Sequence, residues 1–361
     1  MGPGPGAMHP RVAAVLGTPL IGHLDPVMGA LMDSTRELLK PLFGTRSSMT
    51  LTISATGGGG REAVLTNLIE PGDRVVVEVR GYFGGRLAEC AKRLGADLRI
   101  VEGEWGAPPP IQGLVDAIES HRPAVVAVVH AETSTGAIVR PEELKSLADA
   151  AHGAGAVIAA DCVTSVGSVP LRTDAWGLDA AFGCSQKGLA CPPGLAPITL
   201  SDRALAKVRA RRTPPPSVYF DLTLLEQYWG PSRVYHHTAS STLALALHTA
   251  LEVIHEEGIE ARWARLEKVA KRLVDGCAAL GLPHLVARPH RMPMVTPVRL
   301  PEGLDEAPIR RALLLEDGIE IGAGLGPLAG KIWRIGLMGD SARDENVDAL
   351  LTALERRLPR R

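Results

Sequence analysis

Apolar residues are distributed along this chain in two textures. Up to about residue 240, short unbroken apolar runs alternate with stretches of helical period. PAVVAVVH (123–130), AVIAAD (156–161) and APITL (196–200) are strand-length and apolar throughout, as strands covered on both faces are. MTLTIS (49–54), DRVVVEV (73–79), DLRIVEG (97–103) and DAAFG (179–183) read as further strands. Between them, residues 28–43, REAVLTNLIE, GRLAECAKRLG (85–95) and PEELKSLADAAHGAG (141–155) read as helices. The second ends at Pro71 and Gly72, and the last opens on Pro and closes on Gly. Strands alternating with helices predict an α/β domain with a mostly parallel sheet. Beyond residue 240 come two long helical patterns, TLALALHTALEVIHEEG and IEARWARLEKVAKRLVDGCAALG. Short strands follow at 294–300 and 332–336, with helices near 306–316 and 344–357. That texture predicts a smaller α+β domain. The first fifteen residues, dense in Gly and Pro, read as an extended arm. The expected organisation is an arm over 1–15, a large domain over 16–245 and a small domain over 246–361.

Length and composition narrow the function classes. A chain of 361 residues suits one large domain and a smaller one, and 45% hydrophobic residues can bury a sizeable core. Thirty-nine basic residues against 40 acidic ones leave a formal charge of −1, which gives no basic footprint for nucleic acid or anionic membrane. Aromatic residues are only 4%, too few for a base-stacking surface. The five cysteines, Cys90, Cys162, Cys184, Cys191 and Cys277, are odd in number and lack C-x-x-C or zinc spacing. They read as free thiols in a reducing compartment. MGPGPGAMHPRV has no apolar core of signal-peptide type, and no apolar run reaches membrane-spanning length. A soluble, cytoplasmic protein without membrane or nucleic-acid partners is expected.

Open α/β sheets bind ligands beyond the carboxyl ends of their strands, so the polar residues at those ends carry the candidate chemistry. SATGGGGREA joins a strand to a helix; it is either a flexible turn or a phosphate cradle of backbone N–H groups. It is neither a dinucleotide fingerprint, which fails at Glu62, nor a Walker loop. Asp161 closes an apolar strand, where it serves either as a helix cap or core hydrogen-bond acceptor, or as partner to a buried cation. Lys187 follows a buried strand. It is either a surface lysine on a loop or an amine whose pKa is lowered for imine formation. Arg334 sits inside the apolar strand KIWRIGLMG, as a structural ion pair or as a carboxylate clamp.

Taken together these segments resemble the class V, fold-type I aminotransferases, in particular the alanine–glyoxylate and serine–pyruvate group. The resemblance runs nearly the whole length. It is carried by GPGP (2–5), IGHLDP (21–26), the glycine run, EPGD (70–73), HAETSTG (130–136), AADCVTSVG (159–167), GCSQKGLACPPG (183–194), YHHT (235–238), GLGP (324–327) and RIGLMG (334–339). It implies a fold-type I transferase with a mixed, mostly parallel sheet of the seven-stranded type, and pyridoxal 5′-phosphate (PLP) as cofactor. Lys187 would hold the cofactor as a Schiff base, and Asp161 would pair with its pyridinium nitrogen. Phe83 would stack on one face of the ring and Val163 pack on the other. Thr133 would bond the ring 3′ oxygen. Thr56, Gly57, Gly58 and Gln186 would hold the phosphate, with Tyr235 and Thr238 reaching it from the neighbouring subunit of a homodimer. Arg334 would bind the substrate carboxylate, and Gly22 and His23 would lie near the substrate.

Two departures stand out. Many relatives carry His or Arg where Gly58 or Gly59 stand. VEGEWG (101–106) and the region around TDAWGLDAAFG resemble ureidoglycine–glyoxylate aminotransferases, which favour Gln and Asn where this chain has His23 and Tyr235. The implied reaction is ping-pong transfer from alanine, or next serine, to glyoxylate, with Lys187 moving the proton. Ureidoglycine or another specialised donor is the alternative. A cysteine desulfurase-like lyase needs a mobile cysteine in the C-terminal part, where Cys277 lies in a helical pattern. A non-catalytic PLP-binding regulator needs a DNA-binding appendage that the charge balance does not support.

Overall fold

The structure, a computed structural model, describes residues 1–359. Its strands in chain order are β1 (Thr50–Ile53), β2 (Arg74–Val79), β3 (Asp97–Glu102), β4 (Val125–Val129), β5 (Ala131–Glu132), β6 (Ala137–Ile138), β7 (Val157–Asp161), β8 (Ala180–Phe182), β9 (Ala196–Leu200), β10 (Val295–Arg299), β11 (Gly322–Ala323) and β12 (Ile332–Gly336). Seven of them form one sheet in the order β1-β9-β8-β7-β4-β2-β3. The pairs from β8 to β3 are parallel; β9 runs antiparallel to both its neighbours, β8 and β1. The expected mostly parallel, mixed sheet is therefore present.

Period-two alternation divides each central strand between two cores. Val126 and Val128 of β4, with Val76, Ile158 and Ala160, face one side. Val125, Ala127 and Val129, with Val75, Val77, Val157 and Ala159, face the other. The first side is covered by residues of helices Pro26–Phe43, Ile111–His121, Pro141–Gly153 and Ser241–Glu257, and the second by those of Gly57–Leu68, Tyr82–Arg93, Asp202–Arg209 and Leu222–Trp229. Each fully buried valine stabilises the sheet by about 1.5–3 kcal/mol, and loss of contact on either face would expose half of every strand. β10, β12 and β11 make a second, antiparallel sheet, packed with helices Ile259–Ala279 and Asp344–Arg357 in a core of its own.

Three local features differ from the sequence reading. Residues 10–15 of the arm are helical, because Pro10 at the first turn has a preset φ and His9 accepts from the Arg11 N–H. The glycines 57–60 are the first turn of a helix rather than a loop before one. The helix expected at 85–95 starts at Tyr82, which places Phe83 in its first turn.

Candidate active site

The carboxyl ends of β1, β4, β7 and β8 converge, and the polar residues singled out there meet. The first is the glycine run. Packing explains three of its four members. A Cβ on Gly57 would lie 2.8 Å from Val163 Cγ2 and 3.1 Å from Cys184 Cβ. One on Gly59 would collide with the Ala55 side chain, and one on Gly60 would come 2.8 Å from Ala196 Cβ. The helix start is thus pressed against the ends of β7 and β8, with Thr56 as its exposed N-cap residue and its first N–H groups free for a ligand.

Asp161 ends β7, buried, and its Oδ1 accepts the Val163 N–H at 2.9 Å. Burial raises its carboxyl from the ordinary 3.8 to about 7; the Glu132 charge pushes the same way, while the Val163 N–H, Arg61 and Lys187 oppose. Thr133 and Thr164 hydrogen-bond through their hydroxyls beside it. Glu132, fully buried, accepts the N–H groups of Phe83 and Gly84 on one oxygen, each at 3.1 Å. Its other oxygen accepts the N–H of Ser134 at 3.0 Å and its hydroxyl at 2.6 Å. The same hydroxyl accepts the Tyr82 N–H at 2.9 Å. The β5–β6 hairpin therefore caps the helix that presents Phe83, a task Gly81 at the N-cap cannot perform. Nothing in the spacing of HAETSTG signals this remote cap, so Glu132 and Ser134 were not legible in the sequence.

Lys187 lies in the turn after β8. Burial lowers its amine from the ordinary 10.5, and nearby Arg334 pushes the same way, against Cys184 and Asp161. Its Nζ donates to the Pro3 carbonyl oxygen. The arm passes directly over it: Gly6 N–H donates to Gln186 O at 2.7 Å, and Gly336 N–H donates to Met1 O at 2.8 Å. A side chain on Gly4 would run into the lysine. Arg334 sits in the middle of β12, opposite Pro297 and Gly322. Its Nε donates to Ala323 O at 2.8 Å and Nη1 to Thr133 O at 3.3 Å; no carboxylate lies within 4 Å among the described residues, and the Glu132 charge acts on it only through space. Since no structural ion pair holds it, the remaining donors of its fork are available to an anion.

Four expected residues, Gly22, His23, Tyr235 and Thr238, make no side-chain hydrogen bond to the residues of this cleft among the described residues. Tyr235 is 59% exposed. Its hydroxyl is 3.3 Å from Thr238 Oγ1, and its ring is 5.8 Å from the His23 ring, edge to face. Gly22 is exposed beside them. His237, between Tyr235 and Thr238, is tied to Ser54 at the end of β1 by a 2.6 Å hydrogen bond. His130, at the end of β4, is no part of the cleft. It packs on Trp176, and burial lowers its imidazole to about 3, leaving it neutral.

Known proteins share this fold. The family model for class-V aminotransferases matches residues 20–348. The chain belongs to the class-V aminotransferases. It is 39% identical to the (S)-ureidoglycine–glyoxylate transaminase of Bacillus subtilis, over 98% of this chain and 89% of the other. It is 37% identical to the alanine–glyoxylate aminotransferase of Drosophila melanogaster, over 98% and 90%. The crystal structure of an alanine–glyoxylate aminotransferase from Nostoc sp. superposes with a TM-score of 0.97 at 45% identity, covering 99% of this chain and 94% of that one. This class-V aminotransferase has the fold-type I architecture and is a PLP-dependent transaminase.

The residues present fit PLP. The Asp161 carboxyl is buried with only the Val163 N–H on it among the described residues, so an oxygen is free to take a pyridinium N–H. Gln186 Oε1 is buried without a hydrogen-bond partner. The first turn of the Gly57–Leu68 helix offers backbone N–H groups beside the open space at Gly58. Among the described residues no helix is long and apolar enough to cross a membrane, and no cluster of three metal-binding side chains occurs.

Proposed function

We propose that this aminotransferase moves the amino group of a small amino acid, alanine first and serine next, to glyoxylate or a similar oxoacid in two half-reactions. The observation that carries this reading is the Lys187 amine, half-buried after β8 with its Nζ against the Pro3 carbonyl of the arm, and held below its ordinary pKa by desolvation and by the nearby Arg334 charge. When bound, PLP supplies the electron sink for a carbanion at the substrate Cα. Lys187 anchors the cofactor, then takes and returns the Cα proton, for which a lowered pKa suits an amine working near neutrality. Asp161 would pair with the pyridine nitrogen of the cofactor and, when ionised, favour its protonated form. Arg334 binds the carboxylate of either substrate and so orients Cα toward Lys187. Phe83 and Val163 would pack on the two ring faces, and Thr133 would bond the ring oxygen. Thr56, Gly57, Gly58 and Gln186 would hold the phosphate.

The active unit in this reading is a homodimer. Leu20 (80% exposed), Leu24 (70%) and Val27 lie exposed in the segment that also carries His23, whose ring meets Tyr235. An apolar surface of this kind calls for a partner. A second copy covering it would receive Tyr235 and Thr238 at its phosphate site and Gly22 and His23 near its substrate. The unpaired cysteines support a cytoplasmic location. Support for alanine comes from His23 and Tyr235 themselves, and from the 45% identity to the Nostoc alanine–glyoxylate aminotransferase. The 39% identity to the Bacillus subtilis transaminase keeps (S)-ureidoglycine as the second donor. The visible spectrum of the purified holoenzyme tests the choice. A cofactor band that bleaches with L-alanine and returns with glyoxylate supports the alanine reading. A band that ignores alanine and responds to ureidoglycine assigns the second donor, and no response to any amine removes the transaminase reading.

A further inference from the structure

Of the four glycines at 57–60, only Gly58 opens on space: its nearest neighbours are Arg61 Nη2 and Thr56 Oγ1, at 3.7 and 3.8 Å from where a Cβ would stand. Arg61 follows Gly58 by three residues in the same helix. Helical side chains lean toward the N-terminus over the preceding turn, so the guanidinium reaches back to the first turn. Arg61 is only 9% exposed, on a helix buried along most of its length. Its Nε has no hydrogen-bond partner. The one carboxylate within 4 Å among the described residues is that of Glu62, at 3.8 Å and more than half exposed, and the other polar side chain against the guanidinium is the neutral Cys90 thiol. A buried guanidinium so loosely paired is costly unless something else satisfies it. The free N–H groups of the helix start, the Thr56 hydroxyl and this guanidinium surround one small space, and a dianion suits all three.

We propose that Arg61 grips the phosphate ester of the cofactor from within the helix, filling the place that a side chain at position 58 would otherwise take. The glycine at 58 is then what lets the arginine in. This rests on the reading of residues 56–58 as the phosphate cradle.

The test compares PLP with pyridoxal, which lacks the phosphate, as ligands of the full-length apoprotein, followed by absorbance. Arg61→Leu should weaken PLP binding roughly 10- to 100-fold, the range for a charge-assisted hydrogen bond. It should leave pyridoxal binding within about threefold and leave the apoprotein melting temperature unchanged or higher, since a loosely paired buried charge is removed. Arg61→Lys should lie between, and Arg61→Gln serves if leucine disturbs folding. Equal losses for PLP and pyridoxal, or a lower apoprotein melting temperature with PLP binding intact, would make Arg61 structural and overturn the proposal. Thr56→Ala and Gly57→Ala separate the two levels. If they lower the preference for PLP over pyridoxal and Arg61→Leu does not, the arginine's role falls and the cradle stands. If all three leave that preference untouched, the cradle reading falls with it.

Discussion

Asp161→Asn isolates the energy stored at the site before cofactor arrives. The substitution keeps shape and keeps an oxygen for the Val163 N–H, but removes the charge. In the folded apoprotein the carboxyl titrates near 7 rather than 3.8. Well below the unfolded value of 3.8 it is protonated in both folded and unfolded chains and has no effect on stability. As pH rises from about 4 to about 7, the unfolded chain ionises first and the folded state falls behind. Stability is therefore lost across that window, and the loss is constant above it. Three pKa units correspond to roughly 4 kcal/mol as a ceiling, or about 5 °C in melting temperature for a chain of this size. Thermal unfolding of apoprotein should show the difference between wild type and Asp161→Asn at its smallest near pH 4 and below. The variant should gain steadily to pH 7 and stay ahead at pH 8. Added PLP should reverse the order at pH 8, because only the ionised aspartate gains a pyridinium partner. A difference between the two proteins that does not change with pH, or a variant that PLP stabilises as much as wild type, would refute the electrostatic account of Asp161.

Other consequences are equally direct. Gly57→Ala would press a methyl into Val163 and Cys184, an overpacking worth about 1–3 kcal/mol; PLP titration should show affinity falling by roughly tenfold. Arg334→Lys loses the planar fork while its backbone partners Ala323 O and Thr133 O remain. Steady-state kinetics should show KM for amino acid and oxoacid rising about 10- to 100-fold, and unchanged KM values would exclude it as the carboxylate clamp. Mixing Lys187→Ala subunits with Tyr235→Phe/Thr238→Val subunits should restore activity that neither has alone, because one site per mixed dimer is then intact. No recovery after subunit exchange would place Tyr235 and Thr238 in their own chain's site.

Much of this protein is legible in the order of its residues. Unbroken apolar runs such as AVVAVV can be satisfied only by a strand covered on both faces, so the α/β class follows from local chemistry. IWRIG is a strand from Ile332 to Gly336 in the structure as in the sequence, because Trp333 and Ile335 need one face and Arg334 the other. The chemical identity of Lys187, Asp161 and Arg334 is also local, since each is a charged residue set in or beside an apolar strand, where solubility alone cannot account for it. Tertiary structure decided what those residues meet. Why Gly57, Gly59 and Gly60 are glycines depends on Val163, Ala55 and Ala196, and for two of these the partner is distant in sequence. That Glu132 caps the helix carrying Phe83 depends on a hairpin folded 50 residues downstream of it. Whether Arg334 is an ion pair or a free clamp depends on which carboxylates come within reach, and Arg61 shows its loose pairing only once Gly58 is seen to be open. Periodicity reports the environment of a residue along its own element; the partner that satisfies a buried charge is set by chain crossings that no local pattern encodes.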